Sequence, residues 1–437
     1  MRFDRIVASL ALLGLTPACG GSSAPAADPP PALTPAAASS TTTTAGPVES
    51  AHDDDDKIFA QDVGDIRAVD RAIHTRARTA VKDGRWDEAK SLLAHLVFTY
   101  PENAPIRAQY NAAARRFEAA SAPARRSLEA TPLRKPPVPP TQYTLVRKAP
   151  GGSGPIRILQ KQSEKPNKIV DGMEWLERHD LRFSQYFVPP PFSMLHAPTE
   201  LSEKDALELR YPPGGASPRD PLSERLGFGD SRGETPHRQY TLVEPRDSRA
   251  YLQAPLPMAV PLQFASLPLS EAIVSDPYLV AVYGERVVVV LDRDFKAVGA
   301  IDLASYQTPA AGGPVALELL HAQAADGVLY VSHWFNGYTK EVKGETGYLT
   351  AFDLATGEMV WRSAPQTCNV HNFLVVEGAI VCGYGFTSES RWVTVTDRAT
   401  GATVQKMKVS TTPETWMRKG EALYVHGYRA DFVFGWK

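Results

Sequence analysis

Two histidines and two glutamates stand at matching distances from residues that favour tight turns. Imidazole and carboxylate groups held together can bind a metal ion or polarise a substrate. The alternative is a set of hydrated polar side chains that bind no ligand. The four residues precede their turn residues by six or seven positions: Glu271 before Pro277, His321 before Gly327, His371 before Gly378 and Glu414 before Gly420.

Other chemistry is poorly represented in the chain. The 437 residues contain no H-E-x-x-H zinc pattern and no P-loop. The formal net charge of -2 provides no basic field for nucleic acid, so we expect no nucleic-acid partner. The three cysteines are too few for a disulfide scaffold and wrongly spaced for a zinc finger. We therefore assign no catalytic residue, no metal and no cofactor.

A repeat in the C-terminal part of the chain predicts the elements that position these residues. The segment 348–357 recurs as 392–401, 44 residues further on, and both copies end in D-x-x-T-G. In that pattern the aspartate can close a turn and the glycine supplies a positive φ, so each copy predicts a tight hairpin. A period near 40 to 50 with short strands is typical of β-propeller blades.

The segment 347–361, GYLTAFDLATGEMVW, resembles the repeat of quinoprotein-like β-propellers, which implies that fold for 270–437. About four blades are visible. Dehydrogenases of that group that use pyrroloquinoline quinone carry adjacent cysteines, which this chain lacks, so the resemblance implies no cofactor here. The expected fold class is mainly β, a C-terminal propeller preceded by a small helical module. Because innermost strands line a propeller's channel, His321, His371, Glu271 and Glu414 would ring one mouth.

Helices are expected between 58 and 120, where alanine, arginine, glutamate and leucine dominate. Six residues stand at the second-helix positions of a tetratricopeptide repeat, so the segment resembles one such hairpin. A single repeat cannot bury its apolar face alone. It would either dock a partner protein, or pack beside the larger domain or dimerise. The six residues are Gly84, Trp86, Ala89, Leu93, Leu96 and Pro101.

Residues 121–269 are rich in proline and polar residues and predict irregular chain. Short apolar runs within it could add strands to the following domain. The pentapeptide QYTLV occurs twice there, at 142–146 and 239–243, and could mark two equivalent strands.

The N-terminus predicts export. Two arginines, an apolar run and small residues lead to Cys19, and 15–21 resembles the lipobox of bacterial lipoproteins, in which the cysteine receives a lipid. Thr16 departs from that pattern, so a simple secretory signal is the alternative. A stretch of alanine, proline, serine and threonine follows and is expected to form a disordered tether. The resemblance implies a membrane anchor, with the outer membrane preferred over the inner because Gly20 follows the cysteine.

The two remaining cysteines are expected to stay free. If Glu377 and Gly378 form a hairpin turn, Cys382 faces Phe373, and Cys368 lies five residues beyond it along the strand. A disulfide requires Cα atoms within about 7 Å. Only a break in the strand near Asn369 would allow the bond.

These observations favour an envelope lipoprotein whose propeller binds a protein or glycan. The alternative is an envelope enzyme, a hydrolase or lyase, using the His/Glu residues of the mouth; a role in outer-membrane assembly is a third hypothesis. The expected domains are a signal peptide (1–18), a tether (19–57), a helical module (58–120), a proline-rich region (121–269) and the propeller (270–437).

Overall fold

The computed structural model describes residues 50–152, 154–167, 175–176, 178–181, 184–188, 200–210, 254–257, 259–307, 316–335, 337–338, 340–386 and 389–437. The chain divides into two compact units, Met1–Asp54 and Asp55–Lys437. Cys19 and the second QYTLV segment lie outside the described residues. In the part of the chain that is described, no helix has the length and apolar character needed to cross a membrane.

Four helices come first in the described chain. Helix α1 begins inside the expected tether, and its Asp55 carboxylate lies 3.1 Å from the guanidinium of Arg115 and 2.8 Å from that of Arg116. These contacts tie α1 to α4. The four helices are α1 (Ser50–Phe59), α2 (Ala68–Lys82), α3 (Trp86–Thr99) and α4 (Ala104–Ala130).

Helices α2 and α3 form a hairpin whose turn uses Gly84 at a φ of +69°. Ala89, Leu93 and Leu96 of α3 are buried in the core of the helical module. Helix α4 begins after Asn103, whose side-chain oxygen accepts a hydrogen bond from the Ile106 N–H at 3.0 Å. The hairpin has the turn that the tetratricopeptide resemblance implies; its membership in that repeat family stays a prediction.

Six short strands precede the repeats. Three of them lie in the proline-rich segment 131–166, which we name the strap. The six are β1 (Leu133–Arg134), β2 (Thr144–Leu145), β3 (Leu159–Pro166), β4 (Tyr186–Phe187), β5 (Ala254–Pro255) and β6 (Gln263–Phe264). A fifth helix, α5 (Glu203–Arg210), falls between β4 and β5.

Four antiparallel sheets follow, and we number them blades 1 to 4 in chain order. Blade 1 contains β7 (Leu267–Ser275), β8 (Tyr278–Tyr283), β9 (Val287–Leu291) and β10 (Ala297–Asp302), after which comes the short helix α6 (Ala304–Gln307). Blade 2 contains β11 (Glu318–Ala325), β12 (Val328–Trp334), β13 (Tyr348–Asp353) and β14 (Met359–Arg362). Blade 3 contains β15 (Leu374–Val376), β16 (Ala379–Tyr384), β17 (Trp392–Asp397) and β18 (Thr403–Lys408). Blade 4 contains β19 (Pro413–Lys419), β20 (Ala422–Gly427) and β21 (Ala430–Trp436). The prediction of a propeller with about four blades is confirmed.

The strap supplies outer strands to three of the blades. β1 pairs in parallel with β10, and β2 pairs antiparallel with β14. β3 pairs along the whole length of β21 and so becomes the fourth strand of blade 4. The first QYTLV segment therefore contributes Thr144 and Leu145 to the edge of blade 2.

The D-x-x-T-G hairpins form as their chemistry predicts. The Asp353 carboxylate accepts hydrogen bonds from the Ala355 and Thr356 N–H groups, and Gly357 has a φ of +73°. Trp361, four residues later, donates its indole N–H to the Arg398 carbonyl of blade 3 at 3.0 Å. At the matching position of blade 3, Gln405 instead hydrogen-bonds the N–H and the carbonyl of Leu159 in the strap, both at 2.9 Å.

Polar side chains connect the innermost strands of successive blades. The Ser275 hydroxyl of blade 1 accepts from the Ala324 N–H and donates to the Ala324 carbonyl of blade 2. The Gln323 amide of blade 2 donates to the Phe373 carbonyl at 2.6 Å and accepts from the Val375 N–H at 3.2 Å. Each connection imitates backbone pairing and leaves both backbone groups satisfied.

The segment 175–188 contacts both blade 4 and blade 1. Trp175 and Leu176 pack in one apolar cluster with Met417 of β19. The Val274 N–H of β7 donates to the Ser184 carbonyl at 2.8 Å. The segment thereby links the last blade to the first.

The helical module rests on blade 1 through the end of α4. Leu128 is buried in a cluster with Leu269 and Ala300, and the Ser127 hydroxyl accepts a hydrogen bond from the Ala297 N–H at 3.0 Å. Helix α4 runs to Ala130, past the expected boundary at 120, because this last stretch covers the propeller. The contact is made by α4, so both hypotheses for the α2–α3 hairpin stay open.

Candidate functional site

The innermost strands of three blades carry a β-bulge at the same level. The pairing register shifts between Leu269 and Glu271 in β7, between Leu319 and His321 in β11, and between Pro413 and Thr415 in β19. A bulge bends a strand and redirects its side chains, which is why bulges are frequent beside binding sites. All three bulges lie near the start of the first strand of their blade. The loop between the second and third strands lies at the same end of the blade. We name this end the mouth.

His321 lies one residue after the bulge of β11, near the mouth, and its ring is buried, with only 1% of the residue exposed. Its Nε2 lies 3.2 Å from the amide nitrogen of Gln323, and its ring meets that of Phe373 edge-on at 5.1 Å. Burial, with a smaller contribution from His371, lowers the pKa of His321 to about 3. Because the Gln323 amide nitrogen can only donate, Nε2 accepts and the neutral ring carries its proton on Nδ1.

His371 and Glu414 are brought together by a hydrogen bond from the His371 N–H to the Glu414 carbonyl at 3.2 Å. His371 is exposed, and Glu414 is partly buried. Burial raises the pKa of the Glu414 carboxyl above its ordinary value, and the nearby His426 opposes that rise. A glutamate with a raised pKa can donate a proton nearer neutral pH than a solvated one.

Glu414 lies one residue before the position in blade 4 that corresponds to His321 in blade 2. In blade 2 the hairpin turn is Asp326-Gly327, and in blade 4 it is Gly420-Glu421, because Lys419 pairs with Ala422. Gly420 is therefore the first turn residue and does not correspond to Gly327. Thr415 corresponds to His321 and Glu271, whereas Glu414 occupies the bulge itself.

Glu271 corresponds to His321 in blade 1, where it pairs with Val282 one residue after the bulge. Its side chain is partly buried. It belongs to the face of β7 that carries Ile273 and Ser275, since alternate residues of a strand share a face. Ser275 contacts blade 2, so Glu271 faces the boundary between blades 1 and 2.

A histidine–carboxylate pair at the mouth was missed by the sequence reasoning. The Nδ1 of His426 lies 2.7 Å from the Asp431 carboxylate, which also accepts a hydrogen bond from the Asn167 amide at 2.9 Å. The ring of Trp175 covers His426 at 5.3 Å between centroids. His426 and Asp431 are opposed residues of a hairpin, β20 and β21, and that cross-strand spacing of five residues is the signal that could have revealed them.

Aromatic side chains surround the mouth. Phe386 of blade 3 meets Trp334 and Tyr338 of blade 2 edge-on, each with centroids 5.5 Å apart. Tyr338 is 47% exposed, and Tyr428 of blade 4, beneath the Arg429 guanidinium, is 51% exposed. We name these residues the aromatic rim. Trp334 ends strand β12, and Tyr338, Phe386 and Tyr428 lie in the loops between the second and third strands of blades 2, 3 and 4.

The prediction of free thiols is wrong, because Cys368 and Cys382 form a disulfide with Cα atoms 5.5 Å apart. The strand breaks where the prediction required continuity: β15 begins only at Leu374, and the Asn369 N–H donates to the Gly383 carbonyl at 3.0 Å. The chain folds back between these points, so Cys368 returns beside Cys382. The disulfide fixes the connection that carries His371 to the mouth.

Within the described ranges, no three or more His, Cys, Asp or Glu side chains are grouped so that they could hold a metal ion. The chemistry that the mouth offers is that of hydrogen bonding, proton transfer by Glu414 and the His426–Asp431 pair, and stacking on the aromatic rim.

No known protein family matches the chain, and no curated protein sequence is similar to it. Solved structures that resemble it include the computationally designed Ika4 protein, with 11% identity over 40% of this chain and 94% of that one at a TM-score of 0.27. They also include BamB from Moraxella catarrhalis, with 11% identity over 40% of this chain and a TM-score of 0.22. A third is a europium-containing methanol dehydrogenase, with 17% identity over 31% of this chain and a TM-score of 0.23.

This chain spans 57% of that BamB chain and 24% of the dehydrogenase chain. The fold assignment rests on the strand order of the four blades described above. The chain is a mainly β protein, a β-propeller preceded by a helical module.

Proposed function

We propose that the chain is an exported, lipid-anchored envelope protein whose propeller binds a partner protein or glycan across the mouth. The observation that carries the proposal is the aromatic rim, in which Trp334, Tyr338 and Phe386 bridge two blades and Tyr428 extends the rim to a third. Exposed aromatic rings bury much area at little conformational cost, and they dominate the energetics of interfaces.

The polar centre of the mouth fits the same role. Glu414, His371 and the His426–Asp431 pair offer donors and acceptors inside an apolar surround. Interfaces combine aromatic and arginine contacts with polar groups that determine orientation. Arg429, whose guanidinium lies 5.4 Å from the centre of the Tyr428 ring, adds a donor at the rim.

The location is supported by the sequence of the N-terminus. The segment 15–21 resembles a lipobox, and the low-complexity stretch after it would hold the propeller away from the membrane. If Cys19 is lipidated, maturation stops in globomycin-treated cells and the precursor migrates more slowly. The Cys19→Ala variant should show no such globomycin-sensitive shift; an unchanged shift in that variant would mean that another residue is responsible.

The binding proposal is tested by affinity capture from detergent-solubilised envelopes. The wild-type chain is compared with a Tyr338→Ala/Tyr428→Ala double variant and with Val404→Ala, a matched control that removes an exposed apolar side chain from the outer strand of blade 3. We expect a stoichiometric partner with the wild type and the control and at least tenfold less with the double variant. Equal recovery with all three would refute the rim as the binding surface.

Three observations favour the enzymatic alternative. The His426–Asp431 pair at 2.7 Å and the raised pKa of Glu414 provide a base and an acid at one mouth. The segment Gly229-Asp230-Ser231-Arg232-Gly233 also fits the G-x-S-x-G pattern of serine hydrolases, although it lies outside the described residues.

The enzymatic alternative is tested with a panel of chromogenic esters and glycosides. Turnover that falls at least a hundredfold in Glu414→Gln or His426→Asn would place chemistry at the mouth. A loss confined to Ser231→Ala would place it in the undescribed segment. Turnover indistinguishable from buffer would leave the binding proposal without a competitor.

A further inference from the structure

Arg362, on the outer strand β14 of blade 2, is buried without a counter-ion. Only 1% of the residue is exposed. In the ranges that the structure describes, no carboxylate lies within ion-pair distance of its guanidinium, which donates a hydrogen bond to the Thr350 hydroxyl at 3.0 Å. Its Nε has no hydrogen-bond partner there. A buried, uncompensated cation is costly, so native structures pair such groups.

The second buried arginine of the propeller shows what a compensated site looks like. Arg398 of blade 3 donates to the Asp326 carboxylate at 2.5 Å, to the Tyr330 hydroxyl at 2.9 Å and to the Glu377 carbonyl at 3.0 Å. Burial opposes the charge of Arg398, but the Tyr330 hydroxyl and the Asp326 carboxylate outweigh burial and raise the pKa above its ordinary value. Burial instead lowers the pKa of Arg362 to about 10. Arg362 therefore lacks the anionic acceptor that Asp326 provides to Arg398.

Two tyrosine rings flank the Arg362 guanidinium. Its central carbon lies 3.9 Å from the centre of the Tyr348 ring and 5.3 Å from that of Tyr306 in helix α6. Ring faces stabilise a cation electrostatically, which explains how the charge is tolerated in the absence of a carboxylate. A side-chain hydrogen bond with Tyr348 contributes as well, but neither tyrosine supplies the negative charge of a carboxylate.

His333 completes the cluster. It is fully buried, and neither ring nitrogen has a hydrogen-bond partner among the described residues. Its ring lies 5.3 Å from that of Tyr306. Burial and the charge of Arg362 hold the pKa of His333 well below its ordinary value, so the neutral ring offers one donor and one acceptor.

These side chains share one face of blade 2. His333 pairs with Tyr348, and Thr350 pairs with Arg362, and directly opposed residues point to the same side of a sheet. Further along that face, Leu329 and Phe352 pack in one apolar cluster with Val290 of blade 1. The polar cluster therefore lies at the boundary between blades 1 and 2, within a dry surround where a charge-assisted hydrogen bond is strong.

We propose that Arg362 and His333, between the rings of Tyr306 and Tyr348, form a binding site for a small oxyanion, a carboxylate or a phosphate group. The planar guanidinium matches such a group in two parallel hydrogen bonds. The Nε of Arg362 and the N–H of His333 provide the donors that the structure leaves unused. The site is distinct from the mouth and does not depend on the binding function proposed for it.

The test measures the melting temperature of the full chain against increasing acetate or inorganic phosphate, at constant ionic strength held by a bulky sulfonate salt. The Arg362→Gln variant removes the charge. The matched control is Arg293→Gln, an arginine of blade 1 whose side chain is 73% exposed. Ligand that binds only the folded state raises the melting temperature in proportion to ln(1 + [L]/Kd), where [L] is the free ligand concentration, by about 2 °C at ten times the dissociation constant.

We expect this logarithmic rise with at least one anion in the wild type and the control, and its loss in Arg362→Gln. Whichever of the two anions binds more tightly identifies the ligand as a carboxylate or a phosphate. No rise in the wild type with either anion, or an equal rise in Arg362→Gln, would overturn the proposal. If that variant does not fold, crystals of the wild type soaked in selenate decide: anomalous scattering beside Arg362 supports the site, and its absence there contradicts it.

Discussion

The side-chain amide of Asn372 hydrogen-bonds both backbone groups of Trp416, donating to the carbonyl at 2.6 Å and accepting from the N–H at 2.7 Å. Asn372 precedes the innermost strand of blade 3, and Trp416 lies in that of blade 4. Ser275 and Gln323 join the earlier pairs of blades in the same way. At each of the three boundaries between blades that follow one another in the chain, one polar side chain thus bonds the backbone groups that a neighbouring strand would pair within a sheet.

Replacing Asn372 by leucine should leave the N–H and the carbonyl of Trp416 buried without partners. Each unsatisfied group costs about 1–3 kcal/mol, so we expect the free energy of unfolding to fall by roughly 3 kcal/mol. Urea denaturation measures the loss. Thr403→Ala, at an exposed position of β18, should change stability by less than about 0.5 kcal/mol. Equal stabilities for the two variants would show that the amide connection is not structural.

The disulfide between Cys368 and Cys382 has a direct chemical test. Trypsin leaves both cysteines in one peptide, 363–391, and a glutamate-specific protease cuts between them at Glu377. We expect the two halves to stay joined until a reductant is added. Closing a loop of this length stabilises a protein by about 3 kcal/mol, and the Cys368→Ala/Cys382→Ala variant should lose roughly that amount. Halves that separate without reductant would restore the original prediction of free thiols.

Acid should destabilise the propeller through its buried histidines. The pKa of His321 is lowered from 6.5 to about 3 in the folded chain. Between these values the unfolded chain binds a proton that the folded chain does not, so this stability is fully present above about pH 6.5 and is lost as pH falls towards 3, by about 1.4 kcal/mol per pH unit. His333, whose pKa is shifted in the same direction, adds to the loss.

Urea denaturation of the wild type and of His321→Asn between pH 7 and pH 4 checks this effect. On acidification the free energy of unfolding of the variant should fall less steeply than that of the wild type, by about 1.4 kcal/mol per pH unit, the contribution of one proton. Parallel curves for the two proteins would mean that His321 is protonated in the folded state.

The strap should be indispensable for blade 4. A fragment that comprises only 254–437 lacks β3 and leaves the edge of β21 unpaired, with Phe432 and Phe434 near it. Unpaired edges associate with one another, so we expect this fragment to aggregate or to melt without a cooperative transition. The fragment 131–437 should remain monomeric in size-exclusion chromatography and melt cooperatively. A monomeric, cooperatively melting 254–437 fragment would contradict the role of the strap.

The local parts of the fold were readable from the sequence because they depend on short-range chemistry. Asp353 and Gly357 determine their turn within five residues, and the same pattern recurs at Asp397 and Gly401. Added strands were expected somewhere in 121–269, but their positions and partners could not be read from the sequence. Ser163 and Val433 pair across 270 residues, and the polar sequence of β3 has no apolar alternation because one edge and much of its surface face solvent.

The grouping of the four predicted site residues at the mouth stays a prediction. Spacing from the hairpin turns placed His321 near the mouth, but it could not show that Gly420 begins its turn whereas Gly327 ends its own. Burial of His321 involves a tertiary contact with Phe373, and Asp431 accepts a hydrogen bond from Asn167, which follows the strap and lies far away in the sequence. Neither contact leaves a local trace in the sequence.

Site-specific photo-crosslinking in living cells tests the central claim most directly. A photoreactive phenylalanine analogue is placed at Tyr338, at Tyr428 and, as the control, at Val404, all exposed positions. If the rim binds a partner protein, irradiation should give the same discrete crosslinked species from Tyr338 and Tyr428 and none from Val404. If it binds a glycan, the rim adducts should instead collapse to the mass of the free chain after glycan digestion. No adduct from either rim position, or the same adduct from all three, would contradict the account.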